Sequence, residues 1–306
     1  MRLSVIDIGT NTILLLIADI DPRGGLTPVY HGHEIPRLGM GVDEHREIHT
    51  EALERAITII QAFVAASKRF SADRIIACGT SALRDAANRD EVLSRIKRDT
   101  GVDVEIISGK GEAELTYLGA VGEFMRLGED QKFAVLDIGG GSTEITSGSG
   151  LKVHDKRSHD IGCVRLTERF LRSSPPTFAE INQAKESINE HTGALLPLEK
   201  TARLIGVAGT LTTLAAIDLD LPAYDPLRVS GHRLSRKTIE SIFDRLKTKT
   251  VQQLKEIPQI LPGRADILLA GALILIEVMD GLECDVITVS DRGLRYGIAM
   301  REVSNK

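Results

Sequence analysis

Short apolar runs alternate with longer amphipathic segments along most of the chain. The apolar runs have the length of buried strands, whereas the amphipathic segments repeat apolar side chains at helical spacing, as Leu53, Ile57, Ile60 and Val64 do. This alternation predicts an α/β protein with partly parallel sheets. Predicted strands include residues 29–35, 74–78, 102–107, 152–158, 204–208 and 286–289, and helices are expected to begin near residues 50, 79, 111, 162, 177, 209, 235, 267 and 293. Three of these helices have predicted cap residues, Thr50, Thr177 and Ser235.

Two strand–turn–strand segments share one design. In the first, an apolar strand ends at Asp7, and a turn with one glycine leads into a second apolar run at residues 13–18. In the second, the apolar run 133–136 stops at Asp137, and three glycines and two hydroxyl side chains precede Glu144. Because a β-prone run follows each turn, both segments are predicted to be hairpins and not strand-to-helix phosphate loops.

The turns of both hairpins favour an anion. Glycine has no Cβ, so residues 139–141 are expected to turn at positive φ and to bring bare amides close to a ligand. Successive N–H groups form a concave anion site, and Asp137 at the strand end can hold a hard cation. For one segment alone, a glycine turn without a ligand is the alternative. Two copies at domain-sized spacing favour a duplicated fold that grips a phosphate between its halves.

Other candidate residues each have two interpretations. Glu112 follows a predicted strand and is either a general base that activates water or a carboxylate favoured by the helix dipole. Arg84 is either a bidentate phosphate clamp or a solvated arginine, and the same two interpretations apply to Arg37. Gly209 and Thr210 follow a strand at a predicted helix start, where they bind an anion or nucleotide, unless Thr210 simply caps the helix.

Composition narrows the class of protein. The 306 residues, 42% hydrophobic and 26% charged, predict about two domains of a soluble protein. A net charge of −5 and an aromatic content of 4% argue against DNA or RNA binding. Three separated cysteines and an N-terminus without a signal-peptide pattern predict a reduced, cytoplasmic protein. The apolar run 267–276 is too short for a membrane span. The histidine pairs 31/33 and 45/49 lack a third zinc ligand.

Taken together, the motifs resemble those of the exopolyphosphatase / guanosine pentaphosphate phosphohydrolase (Ppx/GppA) family. The glycine-rich stretch 137–144 and the stretch 108–113 upstream of it are the more specific parts of the resemblance. The Asp-Ile-Gly element alone is shared by many kinases. The matching stretches cover nearly the whole chain and are residues 7–12, 37–39, 80–84, 108–113, 137–144, 209–214, 264–266 and 290–295.

The resemblance implies two ribonuclease-H-like domains of the actin-like ATPase superfamily that face each other across a cleft. Domain I is predicted to comprise residues 1–126 together with the C-terminal helix 293–306. Domain II is predicted to comprise residues 127–292, and residues 127–130 are the predicted hinge between the two.

The resemblance also assigns roles to individual residues. Glu112 takes the place of the water-activating glutamate. The implied Mg²⁺ ligands are Asp7, Asp137 and Glu144. The implied phosphate contacts are Gly9, Thr10, Asn11, Thr12, Gly139, Gly140, Gly141, Ser142 and Arg84, with Gly209, Thr210 and Arg37 at a nucleotide or a distal phosphate. The chain departs from the family pattern at Glu114, where arginine is frequent, and at Tyr296, where glutamate is frequent.

The predicted function is Mg²⁺-dependent hydrolysis of terminal phosphoanhydrides, with orthophosphate released from polyphosphate or from guanosine pentaphosphate (pppGpp). The family makes a homodimer plausible, and no nucleic-acid duplex or membrane is an expected partner. Two alternatives stay open: an ATP-dependent kinase of the same superfold that acts on a small acceptor, and a non-enzymatic actin-like nucleotide switch.

Overall fold

The chain divides into two compact units. The computed structural model describes residues 1–21, 25–125, 131–193 and 202–304. Unit 1 comprises residues 1–119 and 294–306, and unit 2 comprises residues 120–293. The predicted hinge at residues 127–130 lies outside the described residues.

Eleven strands and thirteen α-helices are found in the described residues. The strands are β1 (Arg2–Ile8), β2 (Ile13–Ile20), β3 (Leu26–Glu34), β4 (Arg74–Gly79), β5 (Val104–Ile106), β6 (Lys132–Ile138), β7 (Thr143–Ser149), β8 (Lys152–His159), β9 (Arg203–Val207), β10 (Arg233–Ser235) and β11 (Val286–Val289). The helices are α1 (Val42–His45), α2 (Thr50–Arg69), α3 (Ser81–Asp85), α4 (Arg89–Thr100), α5 (Gly109–Val121), α6 (Cys163–Phe170), α7 (Phe178–Thr192), α8 (Ala208–Asp218), α9 (Pro226–Val229), α10 (Arg236–Leu246), α11 (Val251–Lys255), α12 (Leu268–Gly281) and α13 (Leu294–Ser304).

The two units share one sheet topology. The strand order in unit 1 is β3-β2-β1-β4-β5, and unit 2 repeats it as β8-β7-β6-β9-β11, with β10 added beyond β11. In both sheets the first three strands pair antiparallel. The strands β1, β4 and β5 run parallel, as do β6, β9 and β11. The predicted α/β fold with two ribonuclease-H-like domains is confirmed.

Both predicted hairpins are confirmed. Pairing of β1 with β2 ends at Ile8 and Ile13, and pairing of β6 with β7 ends at Ile138 and Thr143, so that residues 9–12 and 139–142 form the turns. The strands β1 and β6 have the same length and the same order of buried and half-buried positions. Asp7 and Asp137 therefore occupy equivalent, half-buried places one residue before the strand ends.

The turn glycines are needed for space and not for their backbone angles. A Cβ on Gly9 would lie 3.0 Å from the carbonyl oxygen of Thr12, and a Cβ on Gly139 would lie 3.0 Å from that of Ser142. Positive φ is absent at Gly9 and at residues 139–141, so the expectation of a positive-φ turn is wrong. The chain reverses because the amide of each first glycine donates to that same carbonyl oxygen, at 3.0 Å in both turns.

Two of the three predicted helix caps are confirmed. The Thr177 hydroxyl accepts the amide of Glu180, whose carboxylate accepts the amide of Thr177, and the Ser235 hydroxyl caps α10. The prediction for Thr50 is wrong, because Thr50 is the first residue of α2 and His49 occupies the N-cap position.

The core of unit 2 is built around α12. Its side chains from Leu268 to Ile276 are buried, and the helix packs against α6, α7, α8 and α10. The predicted buried helix at residues 267–276 is therefore confirmed. Within the described residues, no helix has the length and apolar content that crossing a membrane requires. The cysteines are free thiols, of which Cys78 and Cys163 are buried.

In unit 1 the C-terminal helix packs tightly against the helix that carries Glu112. A Cβ on Gly297 in α13 would lie 1.7 Å from the carbonyl oxygen of Leu115 in α5, so only glycine permits this approach. The same helix contacts β1 and β2, and the Arg295 Nη1 donates to the carbonyl of Leu15 at 3.2 Å. The position of α5 thus depends on α13.

We expect the substitution Gly297→Ala to destabilise the protein. Alanine gains up to about 1 kcal/mol over glycine in helix propensity, but overpacking costs about 1–3 kcal/mol or more. The loss should exceed the gain because the contacting atom belongs to the α5 backbone, which cannot rotate away as a side chain can. Urea denaturation measures the free energy of unfolding.

The control for this experiment is Gly293→Ala. A Cβ at Gly293 has its nearest neighbour, a Val207 side-chain atom, at 4.0 Å, so this variant should unfold close to wild type. Wild-type stability of Gly297→Ala would contradict the close contact of α13 with α5.

Candidate active site

The candidate residues follow the carboxyl ends of parallel strands in each unit. In unit 1, Asp7 lies at the end of β1, Arg84 lies in α3 after β4, and Glu112 lies in α5 after β5. In unit 2, Asp137 lies at the end of β6, and Gly209 lies in α8 after β9. Ligands of open α/β sheets bind at this edge, so within each unit the predicted residues gather at the edge where a ligand is expected.

The turn of unit 1 is held by the loop that follows β3. The Arg37 amide donates to the carbonyl of Asn11 at 3.1 Å, and the Gly39 amide donates to that of Thr10 at 2.7 Å. A Cβ on Gly39 would lie 2.3 Å from the Thr10 methyl group, which explains the glycine. The Thr10 Oγ1 is buried and has no hydrogen-bond partner among the described residues. The structure therefore brings Arg37 to the predicted phosphate turn of its own unit.

Glu112 and Arg84 form an ion pair inside unit 1. The Arg84 Nη1 lies 3.1 Å from the Glu112 Oε2 and also donates to the Ile107 carbonyl at 3.0 Å. Glu112 is 8% exposed, and its amide donates to the Ser108 carbonyl at 2.8 Å. The solvated interpretation of Arg84 is therefore wrong. Both side-chain contacts use Nη1, and no bond from its Nε or Nη2 is seen among the described residues, so a phosphate oxygen can still be bound there.

The turn of unit 2 is held by the first residues of α6. The Cys163 amide donates to the carbonyl of Gly139 at 2.9 Å, and the Val164 amide donates to that of Gly140 at 2.8 Å. A Cβ on Gly162 would lie 2.4 Å from the same Gly140 oxygen. The Arg165 amide also donates to the Gly140 carbonyl, at 3.2 Å. The first three amides of α6 therefore all donate to carbonyls of the turn.

The hydrogen bonds from α6 orient the N–H groups of the glycine-rich turn 139–142. In a trans peptide the carbonyl and the N–H of the next residue point in opposite directions. Since the Gly139 and Gly140 carbonyls point at α6, the N–H groups of Gly140 and Gly141 point away from it. In the described part of the chain, the amides of Gly140, Gly141 and Ser142 donate to no acceptor. The turn therefore presents three successive donors, the arrangement that binds an anion.

Two carboxylates lie side by side next to this turn. Asp137 and Glu144 are directly opposite each other in the β6–β7 ladder, which places their Cβ atoms about 4.5–5.5 Å apart on one face of the sheet. The Ser158 hydroxyl on β8 donates to the Glu144 Oε1 at 2.7 Å. In unit 1 the residue opposite Asp7 is Leu14, so the equivalent position holds a single carboxylate.

The carboxylates of unit 2 fit a magnesium ion. Mg²⁺ is commonly bound by one or two carboxylates, with substrate phosphates and water as the other ligands. Asp137 and Glu144 supply such a pair beside a predicted phosphate turn. A group of three or more His, Cys, Asp or Glu side chains suited to a metal does not occur in the described residues.

At the end of β9 an arginine covers a glycine. A Cβ on Gly209 would lie 1.3 Å from the Arg264 Nη1, so the guanidinium lies directly on the Gly209 backbone. Burial lowers the pKa of the Arg264 guanidinium, and nearby Cys163 and Tyr224 partly oppose that shift.

The Thr210 side chain packs in the core of unit 2. It is 4% exposed, and its Oγ1 would lie 2.2 Å from a Cβ on Gly271, so the side chain lies against α12. The alternative of N-capping by Thr210 is wrong, because α8 begins at Ala208 and Val207 is its N-cap residue.

The sequence reasoning missed the place of Arg264 and the role of α6. Arg264 was noted only within a motif of the resemblance, because nothing local links it to Gly209, 55 positions earlier. A signal for α6 was present, since Gly162 directly precedes the predicted helix. Its meaning depends on how closely the helix approaches Gly140, which the sequence does not give.

The comparisons with known proteins point to one family. The model of the Ppx/GppA phosphatase family matches residues 16–306. The chain is 38% identical to exopolyphosphatase 2 of Mycobacterium tuberculosis over 98% of both chains. It is 28% identical to a guanosine-5′-triphosphate,3′-diphosphate pyrophosphatase of Vibrio atlanticus, over 98% of this chain and 59% of that one. A crystal structure of the Aquifex aeolicus family member is 34% identical, with a TM-score of 0.83 over 100% of this chain and 98% of that one. The chain belongs to the Ppx/GppA phosphatase family.

Proposed function

We propose that the protein hydrolyses terminal phosphoanhydride bonds and releases orthophosphate from polyphosphate, from pppGpp or from both. The names of the relatives, an exopolyphosphatase and a guanosine-5′-triphosphate,3′-diphosphate pyrophosphatase, support this class of reaction. The observation that carries the proposal is the turn of unit 2, where the amides of Gly140, Gly141 and Ser142 have no acceptor among the described residues.

The turn binds the terminal phosphate. Phosphoryl transfer depends mainly on positioning and on neutralising charge, because little covalent chemistry falls to the protein. The three amides donate to phosphoryl oxygens, and those of Gly140 and Gly141 are pre-oriented because α6 holds the Gly139 and Gly140 carbonyls. Pre-oriented donors cost no reorganisation at the moment of reaction, which makes them effective in stabilising developing charge.

Glu112 directs the attacking water in this proposal. Its carboxylate accepts a proton from the water as the water oxygen bonds to the terminal phosphorus, and the bridging P–O bond breaks to release the shortened chain. The Arg84 guanidinium at 3.1 Å holds the carboxylate in one orientation before substrate arrives. A phosphate oxygen bound at the remaining guanidinium nitrogens would lie next to the base.

Asp137 and Glu144 would hold a magnesium ion in unit 2, and Asp7 is the proposed metal ligand of unit 1. A bound Mg²⁺ offsets the negative charge of the phosphates. The Ser158 hydroxyl, 2.7 Å from Glu144 Oε1, fixes the orientation of one ligand as outer groups commonly do in metal sites. A cytoplasmic location is an expectation from the sequence, and a homodimer is an expectation from the resemblance.

The proposed activity is tested by phosphate release from three substrates. We expect orthophosphate from long-chain polyphosphate or pppGpp when Mg²⁺ is present and none after chelation with EDTA, with activity restored by added Mg²⁺. Hydrolysis of ATP alone, dependent on a sugar or acid acceptor or on polymerisation, would favour the kinase or switch and overturn the proposal.

The substitution Glu112→Gln should lower kcat by about 10²- to 10⁴-fold, because general-base catalysis typically contributes that factor. Binding of polyphosphate should change little, since the amide neither adds charge nor alters the side-chain length. Steady-state phosphate release gives kcat, and equilibrium binding of polyphosphate gives Kd. Glu114→Gln, two residues along the same helix, is the control and should keep most of the activity. Near-normal turnover of Glu112→Gln would rule out its role as the base.

The substitutions Asp137→Asn and Glu144→Gln should each raise the Mg²⁺ concentration that gives half-maximal activity. The reason is that each variant removes one negative charge from the proposed metal site. Ser158→Ala, which removes only the hydroxyl on Glu144, should cause a smaller shift in the same direction. Magnesium titrations of phosphate release measure all three. A Mg²⁺ dependence identical to wild type in both carboxylate variants would exclude this pair as ligands.

A further inference from the structure

An exposed tyrosine lies near Arg264 in unit 2. Tyr224 precedes α9 and is 53% exposed, more than the other three tyrosines of the chain: Tyr30 is 38% exposed, Tyr117 is buried completely, and Tyr296 is 5% exposed. An aromatic ring that is half open to solvent exposes apolar surface at a cost. The mechanism proposed above does not use this ring.

The surroundings place Tyr224 beside the end of β9. The Gln259 Nε2 donates to the Leu221 carbonyl at 2.9 Å and so joins the loop before Tyr224 to the segment that leads into Arg264. The Ser290 amide donates to the Gly206 carbonyl at the end of β9, at 2.9 Å, so Asp291, which the Tyr224 hydroxyl contacts, also lies there. The Arg264 guanidinium lies on Gly209. A cation and an open aromatic ring are therefore found at the same strand edge, where ligands bind.

The ring is held in place by its hydroxyl. The Tyr224 hydroxyl donates to the Asp291 carboxylate, and the Asp291 amide donates to the Ser230 Oγ at 3.1 Å. Ser230 is itself bound to the Glu123 carboxylate at 2.8 Å. A ring fixed by this chain of hydrogen bonds loses little rotational freedom when a flat group stacks on it. The hydrogen bond of the Tyr224 hydroxyl thus favours stacking of a flat ligand group, and the residue stays 53% exposed.

We propose that Tyr224 is the stacking surface for the purine base of a nucleoside polyphosphate, with Arg264 beside it as a contact for the phosphates. Such a ligand carries a flat aromatic base and several negative charges, and these match the ring and the guanidinium. The inference rests on the proposed function and makes Tyr224 a residue that distinguishes pppGpp from polyphosphate. Inorganic polyphosphate has no base, so its hydrolysis should not depend on the ring.

The test compares the two substrates in the same variant. Base–aromatic stacking typically contributes enough that Tyr224→Ala should raise the KM for pppGpp about 10- to 100-fold, while kcat for pppGpp and both constants for polyphosphate change less than about twofold. Tyr224→Phe should keep a KM for pppGpp close to wild type because the ring remains. Tyr224→Leu, which is apolar but not aromatic, should resemble Tyr224→Ala.

Tyr30→Ala is the matched control, because Tyr30 is a partly exposed tyrosine in unit 1 that stacks on Phe70. Equal losses on pppGpp and polyphosphate in the Tyr224 variants would overturn the inference and indicate a structural role. An unchanged KM for pppGpp in Tyr224→Ala would also overturn it. Wild-type protein that hydrolyses polyphosphate but not pppGpp would refute the base site alone, whereas hydrolysis of neither substrate would refute the proposed function itself.

Discussion

The contact between the start of α6 and the glycine-rich turn is the interaction on which the proposed chemistry depends. Each backbone amide of α6 that donates to a carbonyl of this turn fixes the plane of one peptide, and peptide planarity then directs the next N–H group the opposite way. The Cys163 and Val164 amides thus determine where the Gly140 and Gly141 amides point. This close approach requires glycine at position 162, because a Cβ there would lie 2.4 Å from the Gly140 carbonyl oxygen.

The two hairpins share one backbone arrangement but differ in their charged residues. The two turns share one hydrogen bond of 3.0 Å and one close approach of 3.0 Å, although their sequences differ at most positions. The residue opposite the equivalent aspartate is Leu14 in one unit and Glu144 in the other. The two units therefore carry different charged groups, with the paired carboxylates in unit 2 and the Glu112–Arg84 ion pair in unit 1.

Local pattern was sufficient to predict the two hairpins and the buried helix near residue 267. These features depend on the lengths of apolar runs and on short-range turn chemistry, which neighbouring residues determine. The resemblance, and not local pattern, implied the two ribonuclease-H-like domains. Contacts between distant segments could not be predicted. Nothing near Arg84 indicates that its guanidinium meets Glu112, and nothing near Gly209 indicates that Arg264 covers it. The packing of the Thr210 side chain against α12 is a further contact of this kind.

The close packing of Gly297 against Leu115 also affects the order in which the two units can fold. Unit 2 is continuous in the chain, from residue 120 to residue 293, whereas unit 1 needs residues 294–306 to be complete. Domains generally fold as units, in the order in which the ribosome delivers them. The helix that carries Glu112 is synthesised early, but its packing partner α13 follows only after all of unit 2. The central segment can therefore reach its folded state first, and the proposed base acquires its final position only once α13 has been synthesised.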